Sequence, residues 1–341
     1  MSWVDKVWYS PGWLHWLIII LLLPLTLIFW VLSSVRRVAF SLNLKSASKI
    51  PVPVIVVGNI SVGGNGKTPL VVYLAKRLKQ EGYRPGVLSR GYGGKDAVYP
   101  MQVHGNSLAE VVGDEPVLMR QNINCPLVVD PNRVRGAKAL VELHNCNLII
   151  CDDGLQHYAL QRDIEIVVVD GKRRIGTGLL LPAGPLREGA WRLNTADFVV
   201  LNGGSVTNGE HLMSLESGRL VNVKNRNKSM SISDIKQPVI AAAGIGNPQR
   251  FFDLLQSKHI RLKKCLSFVD HHQFSEKDLP KEMVLMTEKD AVKCGEFAHD
   301  DWWYLPVNAK LTQQFDTQLL QRLQSVVTNL KTKNREQNGF R

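Results

Sequence analysis

Cysteine is scarce in this chain of 341 residues: Cys125, Cys146, Cys151, Cys265 and Cys294, an odd count with no CxxC spacing. That argues against a disulfide framework or a zinc ribbon and fits a reducing compartment. Acidic side chains are also in deficit, 30 against 42 Lys and Arg, for a formal net charge of +12. An excess of this sign suits anionic partners: nucleic acid, an anionic membrane face or phosphorylated substrates. A solvated basic surface would give the same balance. There is no internal repeat and no low-complexity tract. Hydrophobic residues make up 45% of the chain, which excludes global disorder. The length suggests two lobes rather than one small core.

Charge is wholly missing from residues 16–32, WLIIILLLPLTLIFWVL. As a helix these residues would span roughly 26 Å, near the minimum for a bilayer core. Trp3, Trp8, Trp13, Trp16 and Trp30 lie in or beside the run, as interfacial anchors do. Pro24 is expected to kink such a helix. A cleaved signal fits poorly, because no small-residue cleavage pattern follows, which leaves a membrane anchor that spans or dips into one leaflet, or a buried core helix. Arg36, Arg37, Lys45 and Lys49 follow instead, and place the next domain on the cytoplasmic side.

Beyond the anchor, strand and helix patterns alternate. VPVIVVG (52–58) is a β-branched apolar run that reads as a buried parallel strand. TPLVVYLAKRLKQEGY (68–83) has Leu70, Leu74 and Leu78 on one helical face, with Pro69 in the first turn. PGVLSRG (85–91) completes a βαβ unit. Strands are expected at 126–130, 147–153, 164–170 and 197–202, with a helix over 131–144. Residues 203–236 are polar and weakly patterned, and read as a joining region. A second α/β pattern follows: strand-like 238–245, helix-like 249–259, strand-like 283–290 and 302–306, and a helix over 311–332.

Between the first strand and helix stands SVGGNGKT (61–68): Ser61, Val62, Gly63, Gly64, Asn65, Gly66, Lys67 and Thr68. Backbone N–H groups at a helix N-terminus bind phosphate without side chains, and glycine lets the chain wrap closely. A lysine neutralises the β- and γ-phosphates, and the next hydroxyl binds Mg²⁺. The general pattern asks for Gly where this chain has Ser61. With this loop the chain reads as α/β and P-loop NTPase-like, two-lobed, with a parallel-sheet core and an N-terminal membrane helix. The expected divisions are 1–35, 36–205 and 206–341.

A phosphate-loop protein also needs a carboxylate for the metal, usually at a neighbouring strand end. Leu148, Ile149, Ile150 and Cys151 run into Asp152 and Asp153, with Gln156 and His157 in the turn beyond. The Asn-Lys-x-Asp signature of GTP specificity is missing. Candidate acids in loops are Asp114, Glu188 and Asp270 beside His271. Each could equally be a turn cap. Arg90 and Arg133 follow strand ends, where they could hold an anion or simply face solvent.

Taken together, the segments resemble the tetraacyldisaccharide 4′-kinase family of the lipid A pathway. The resemblance is carried by VPVIVVGNISVGGNGKTP (52–69), LSRGYGG (88–94), GDEPVL (113–118), CDDGLQHY (151–158), LLLPAGPLRE (179–188), AGIGNPQRFF (243–252), DHHQF (270–274) and MTEKDAVKC (286–294). At this level Ser61 is no departure, since the family loop lacks that glycine. The resemblance implies transfer of the γ-phosphate of ATP to the 4′-hydroxyl of a tetraacylated disaccharide 1-phosphate, with Mg²⁺, at the cytoplasmic face of the inner membrane. Its partners would be the membrane lipid substrate and an anionic membrane surface, not nucleic acid. It implies that Asp114 is the base, supported by His271. Lys67 would hold phosphate, and Thr68, Asp152 and Asp153 the metal. Arg90, Tyr92, Arg133, Gln156, His157 and Glu188 would surround the sugar and its phosphate. Glu288 and Lys289 would lie near the nucleotide. Two other readings compete: a membrane-anchored NTPase switch or chaperone with no small-molecule acceptor, and a non-catalytic binding protein.

Overall fold

The computed structural model describes residues 3–91, 98–207 and 209–338, with side chains as far as residue 332. Two helices open the chain, α1 (Trp3–Tyr9) and α2 (Trp13–Ser41). There follow β1 (Val54–Gly58), α3 (Lys67–Gln80), β2 (Pro85–Ser89), β3 (Met101–Gln102), α4 (Ala109–Val112), α5 (Asp114–Asn122), β4 (Leu127–Val129), α6 (Arg133–Glu142) and β5 (Leu148–Asp152). The chain continues through β6 (Ile164–Asp170), β7 (Phe198–Asn202), β8 (Glu210–Ser217), β9 (Leu220–Asn222), β10 (Ser229–Met230), β11 (Val239–Ala243), α7 (Pro248–Ser257) and β12 (Leu262–Ser267). It ends with β13 (Val284–Thr287), α8 (Glu288–Cys294), β14 (Trp302–Leu305), β15 (Val307–Leu311) and α9 (Gln313–Asn338).

The first sheet has the order β15-β8-β7-β6-β1-β5-β2-β4-β3. Its centre is parallel, with β1 between β5 and β6. Period-two alternation sends successive residues of β1 to opposite faces. Ile55 and Val57 pack with Leu70, Leu74 and Leu78 of α3, while Val54 and Val56 pack with Leu140 of α6 on the other face. Both faces are therefore covered, and β1 and β5 are buried throughout. The second sheet has the order β10-β9-β14-β13-β11-β12.

The expected boundary at 205/206 does not follow the sheets. β8 pairs in parallel with β7, inside the stretch read as a joining region. β15 then returns to the first sheet beside β8, and α9 adds Phe315, Leu319 and Leu323 to its core. The reason is burial. Only Met213 of β8 is buried, so EHLMSLES lacks an apolar face to read. β12 escaped notice for the same reason, as LKKCLS is a largely exposed edge strand. The strand expected over 283–290 ends at Thr287, whose hydroxyl accepts from the Asp290 N–H and starts α8.

α2 continues through Pro24 and is long and apolar enough to cross a membrane. Its docking is local. The Thr26 hydroxyl accepts from Ala183 N at 3.1 Å, and Val7, Ile19 and Ala183 form a small core with α1. Most of its large apolar side chains face outward, among them Leu21, Leu25 and Ile28.

Candidate active site

The phosphate loop leaves β1 and closes on α3, whose second residue is Thr68. Gly63 and Gly66 have φ of +102° and +91°, a region that strains any residue with a Cβ. At Gly66 a Cβ would also fall 2.1 Å from Asn202 Nδ2. Ser61 is buried and uses its hydroxyl, which accepts from Asn65 Nδ2 at 2.9 Å. Val62 N donates to Pro185 O at 2.9 Å, tying the loop to the 179–188 segment. Asn202, at the end of β7, donates to Asn65 O at 2.9 Å. Lys67 Nζ lies 3.2 Å from Asn59 Oδ1 and 3.5 Å from Asp153 Oδ1. The loop is thus held by side chains and by the Val62 N–H bond to Pro185 O, while Asn65 and Asn202 donate their side-chain amides rather than occupying its remaining backbone N–H groups.

Asp152 and Asp153 stand at the end of β5, beside β1. Burial is the largest influence on Asp152 and pushes its carboxyl well up, with Glu115 and Asp153 adding to it. Its Oδ2 accepts from Ser89 Oγ at 3.3 Å, while its Oδ1 is buried without a hydrogen-bond partner. A buried carboxylate oxygen without a partner is the kind of ligand a hard divalent cation takes, although among the described residues no cluster of three or more His, Cys, Asp or Glu forms a ready metal site. Asp153 behaves oppositely. Burial raises it, but Lys67 and Arg187 outweigh that and hold it below the usual carboxylate range.

Arg133 is buried at the start of α6, donating to the carbonyls of Asp130 and Asp152, with Nε unpartnered. Gln156 bridges Asn59 O and Glu188 Oε1 at 3.2 and 2.9 Å. Glu188 is buried and also accepts from Arg192 Nε at 3.2 Å, which makes it a fixed acceptor more than a free base. His157 is pushed down to about 4, first by burial and then by Arg133, Arg36, Arg162 and Arg90. It is therefore a neutral imidazole within a cationic rim. Among the causes is Arg36, near the end of α2, so the charge flanking the apolar helix acts on His157. Tyr92 lies outside the described residues.

Asp114 begins α5 and is buried. His271, at φ +60°, places Nδ1 3.1 and 3.0 Å from the two Asp114 oxygens. Burial raises Asp114, yet the His271 hydrogen bond and Lys289 bring the net shift below the ordinary value. The same hydrogen bond raises His271.

Glu288 and Lys289, expected near the nucleotide, have these partners within the protein. Glu288 accepts from Asn122 Nδ2 at 2.9 Å, at the far end of α5. Lys289 Nζ sits 3.0 Å from Glu115, 3.1 Å from Asp270 and 3.9 Å from Asp114. It organises the acid cluster; among the described residues neither Glu288 nor Lys289 bonds the phosphate loop. Lys293, one turn on, pairs with Asp290 at 2.9 Å and stands 3.9 Å from Asp114. Sequence reasoning passed over Lys293, although the i, i+4 spacing in EKDAVK after a capping Thr puts both lysines on one face.

A test of Lys289 follows. It lowers both Asp114 and His271. Lys289→Met should raise the Asp114 pKa, so that the ionised carboxylate is lost at higher pH than in the parent. The acid limb of the kcat/KM profile should move toward neutrality. An unmoved limb would show that Asp114 is not the titrating base.

The two halves of the site meet at Gly246, in the turn after β11. A Cβ there would fall 2.6 Å from Gly64 N and 3.3 Å from Asp270 Oδ2. Donor loop and acid cluster are therefore neighbours across a glycine contact. This arrangement can hold a nucleoside triphosphate and place a carboxylate beside it.

The chain is similar to known proteins both in sequence and in fold. The profile of the family described as Tetraacyldisaccharide-1-P 4′-kinase matches residues 18–324. A Tetraacyldisaccharide 4′-kinase of Pseudoalteromonas atlantica is 63% identical over 304 residues, covering 89% of this chain and 100% of that protein. One from Shewanella amazonensis is 50% identical over 343 residues, covering 96% and 97%. The fold is similar to a crystal structure of LpxK from Aquifex aeolicus in complex with ATP, with TM-score 0.74 and 30% identity over 90% of this chain and 99% of that one. On its sequence and on its architecture, the chain belongs to the tetraacyldisaccharide-1-P 4′-kinase family.

Proposed function

We propose that this protein transfers the γ-phosphate of ATP to the 4′-hydroxyl of a tetraacylated disaccharide 1-phosphate, yielding the 4′-phosphorylated lipid A precursor and ADP. The observation that carries the reading is the Asp114–His271 pair at 3.0 Å, set across Gly246 from the phosphate loop. A nucleotide switch has no need of a base aimed at an acceptor. Asp114 takes the 4′-hydroxyl proton as the new P–O bond forms, and the bond from the γ-phosphorus to the bridging oxygen breaks. His271 orients the carboxylate, and Lys67 meets the charge on the transferred group. Phosphoryl transfer depends chiefly on such positioning and charge stabilisation.

Thr68, Asp152 and Asp153 would hold Mg²⁺, a fit supported by the orphan Asp152 Oδ1. When bound, that ion neutralises the β/γ-phosphate oxygens. Arg90 and Arg133, with Gln156, neutral His157 and Glu188, receive the sugar and its phosphate. Tyr92 joins this set on the strength of the family resemblance.

The substrate's acyl chains resist leaving a bilayer, at about 0.8 kcal/mol per buried CH₂. The outward apolar face of α2 and the Arg36, Arg37, Lys45 and Lys49 cluster support a seat at the inner membrane, with the catalytic body on its cytoplasmic, anionic face. Leu25→Asp, at an exposed mid-helix position, should cost about 2.5–3.5 kcal/mol of insertion. Co-sedimentation with anionic vesicles should fall accordingly, and full retention would refute the anchoring role.

The deciding assay supplies detergent-solubilised protein with γ-labelled ATP, Mg²⁺ and the disaccharide lipid. Label appearing on the lipid is the expected result. Label released only as free phosphate would favour the NTPase-switch reading.

A further inference from the structure

The N-terminal helices reach the phosphate loop through one buried cation. Arg173 lies in the turn after β6, where Asp170 Oδ1 accepts from the N–H groups of Lys172 and Arg173 at 2.9 and 3.0 Å. Its side chain is 9% exposed, and its Nη2 stands 3.4 Å from Asp5 Oδ1 in α1. Its Cζ lies 4.9 Å from the centroid of the Tyr9 ring, also in α1. The other end of the same guanidinium faces the nucleotide side. Nη1 donates to Gly246 O at 3.4 Å and is 4.0 Å from where a Cβ on Gly63 would stand. Gly246 presses on Gly64 with no side chain between them.

A backbone and an indole hydrogen bond seat α1 against the same segment. Thr177 N donates to Trp8 O at 2.9 Å, and Trp8 Nε1 donates to Pro182 O at 3.1 Å. At Gly176 a Cβ would fall 2.6 Å from Trp8 O, so no larger residue fits beneath the helix. A buried guanidinium needs an opposing charge and filled hydrogen bonds. Arg173 already has Nε without a partner. Losing Asp5 and Tyr9 would leave that charge buried beside the loop that receives a triphosphate. The side chain would then reorient, releasing Gly246 and with it Gly64. Close-packed contacts transmit such shifts because they cannot absorb them.

We propose that Arg173 is a positioning residue that couples the seat of α1 to the phosphate loop, so that nucleotide is held best when the N-terminal hairpin is docked. The proposal rests on residues 61–68 being the ATP site. It assigns α1 a role besides contact with lipid: docked on the body, it sets the donor geometry.

The test uses the full chain in detergent and a non-hydrolysable ATP analogue with Mg²⁺. Arg173→Ala should weaken analogue binding by roughly tenfold, within the range of ordinary site coupling. The KM for lipid should change less than about twofold, since no lipid contact is removed. Asp5→Asn should act in the same direction, and should add nothing in the Arg173→Ala background, because partners in one contact are not additive. Arg173→Lys, which keeps the charge but not the fork, should fall between. Asp5→Asn with parental analogue affinity and parental Tm would overturn the coupling, as would independent, multiplying effects in the double variant. If Arg173→Ala does not fold, Asp5→Asn decides alone. Failure of the parent protein to bind the analogue would instead overturn the ATP-site reading itself.

Discussion

Asp114→Ala should reduce phosphoryl transfer by roughly 10²–10⁴-fold, the usual contribution of a positioned general base. Affinity for a non-hydrolysable ATP analogue should stay nearly unchanged, because Asp114 touches α8 and His271 and not the phosphate loop. The fold should survive. Lys293 keeps Asp290 at 2.9 Å, and Lys289 keeps Glu115 and Asp270. The substitution carries its own internal check. The Asp114 hydrogen bond is the largest cause of the raised His271 pKa, so the imidazole should titrate at lower pH in the variant. That shift is readable by NMR on the His271 ring. Loss of analogue affinity comparable to the loss of turnover would contradict the assignment of Asp114 as base.

Lys67→Ala should give the opposite division. Its Nζ stands between Asn59 Oδ1 and Asp153 Oδ1. Removing a preorganised cation from developing phosphate charge should lower kcat by roughly 10²–10³-fold. Analogue binding should weaken as well, since the ground-state triphosphate meets the same cation. Lys67 also lowers both Asp152 and Asp153. Its loss should therefore raise both carboxyls and make Mg²⁺ binding fall off at higher pH than in the parent protein. Isothermal titration with the analogue and Mg²⁺ at several pH values reads both effects. A variant with parental turnover would remove Lys67 from the site.

The Lys67 prediction was within reach of the sequence because its residue sits where local pattern and chemistry coincide, whereas Asp114 read equally as a turn cap until the family resemblance gave it a role. SVGGNGKT lies between a β-branched run and an amphipathic helix, and each neighbour defines the other. Asp152 and Asp153 end an apolar strand in the same way. Polar strands were illegible for a physical reason, whether inside a sheet, as β8 is between β15 and β7, or at its edge, as β12 is. β8 and β12 bury almost nothing, and hydrophobic periodicity records burial, not hydrogen bonding. For the same reason the sequence did not show that β8, β15 and α9, all beyond residue 206, join the first sheet and its core through long-range pairing.

Site chemistry divided along the same line. Local order alone determined the phosphate loop with its flanking strand and helix, the paired aspartates, the apolar helix and the doubly wound character of the core. Those features arise from neighbours within a few residues. Tertiary structure supplied the contacts: Asp114 with His271, 157 positions apart, as the family resemblance implied, and Lys289 with the surrounding acids. It also brought Gly246 against Gly64 and Arg173 between α1 and the loop. A charge in a sequence carries no record of the carboxylate it will meet. That meeting is set when two sheets pack, and only the packed chain fixes which cation compensates which buried acid.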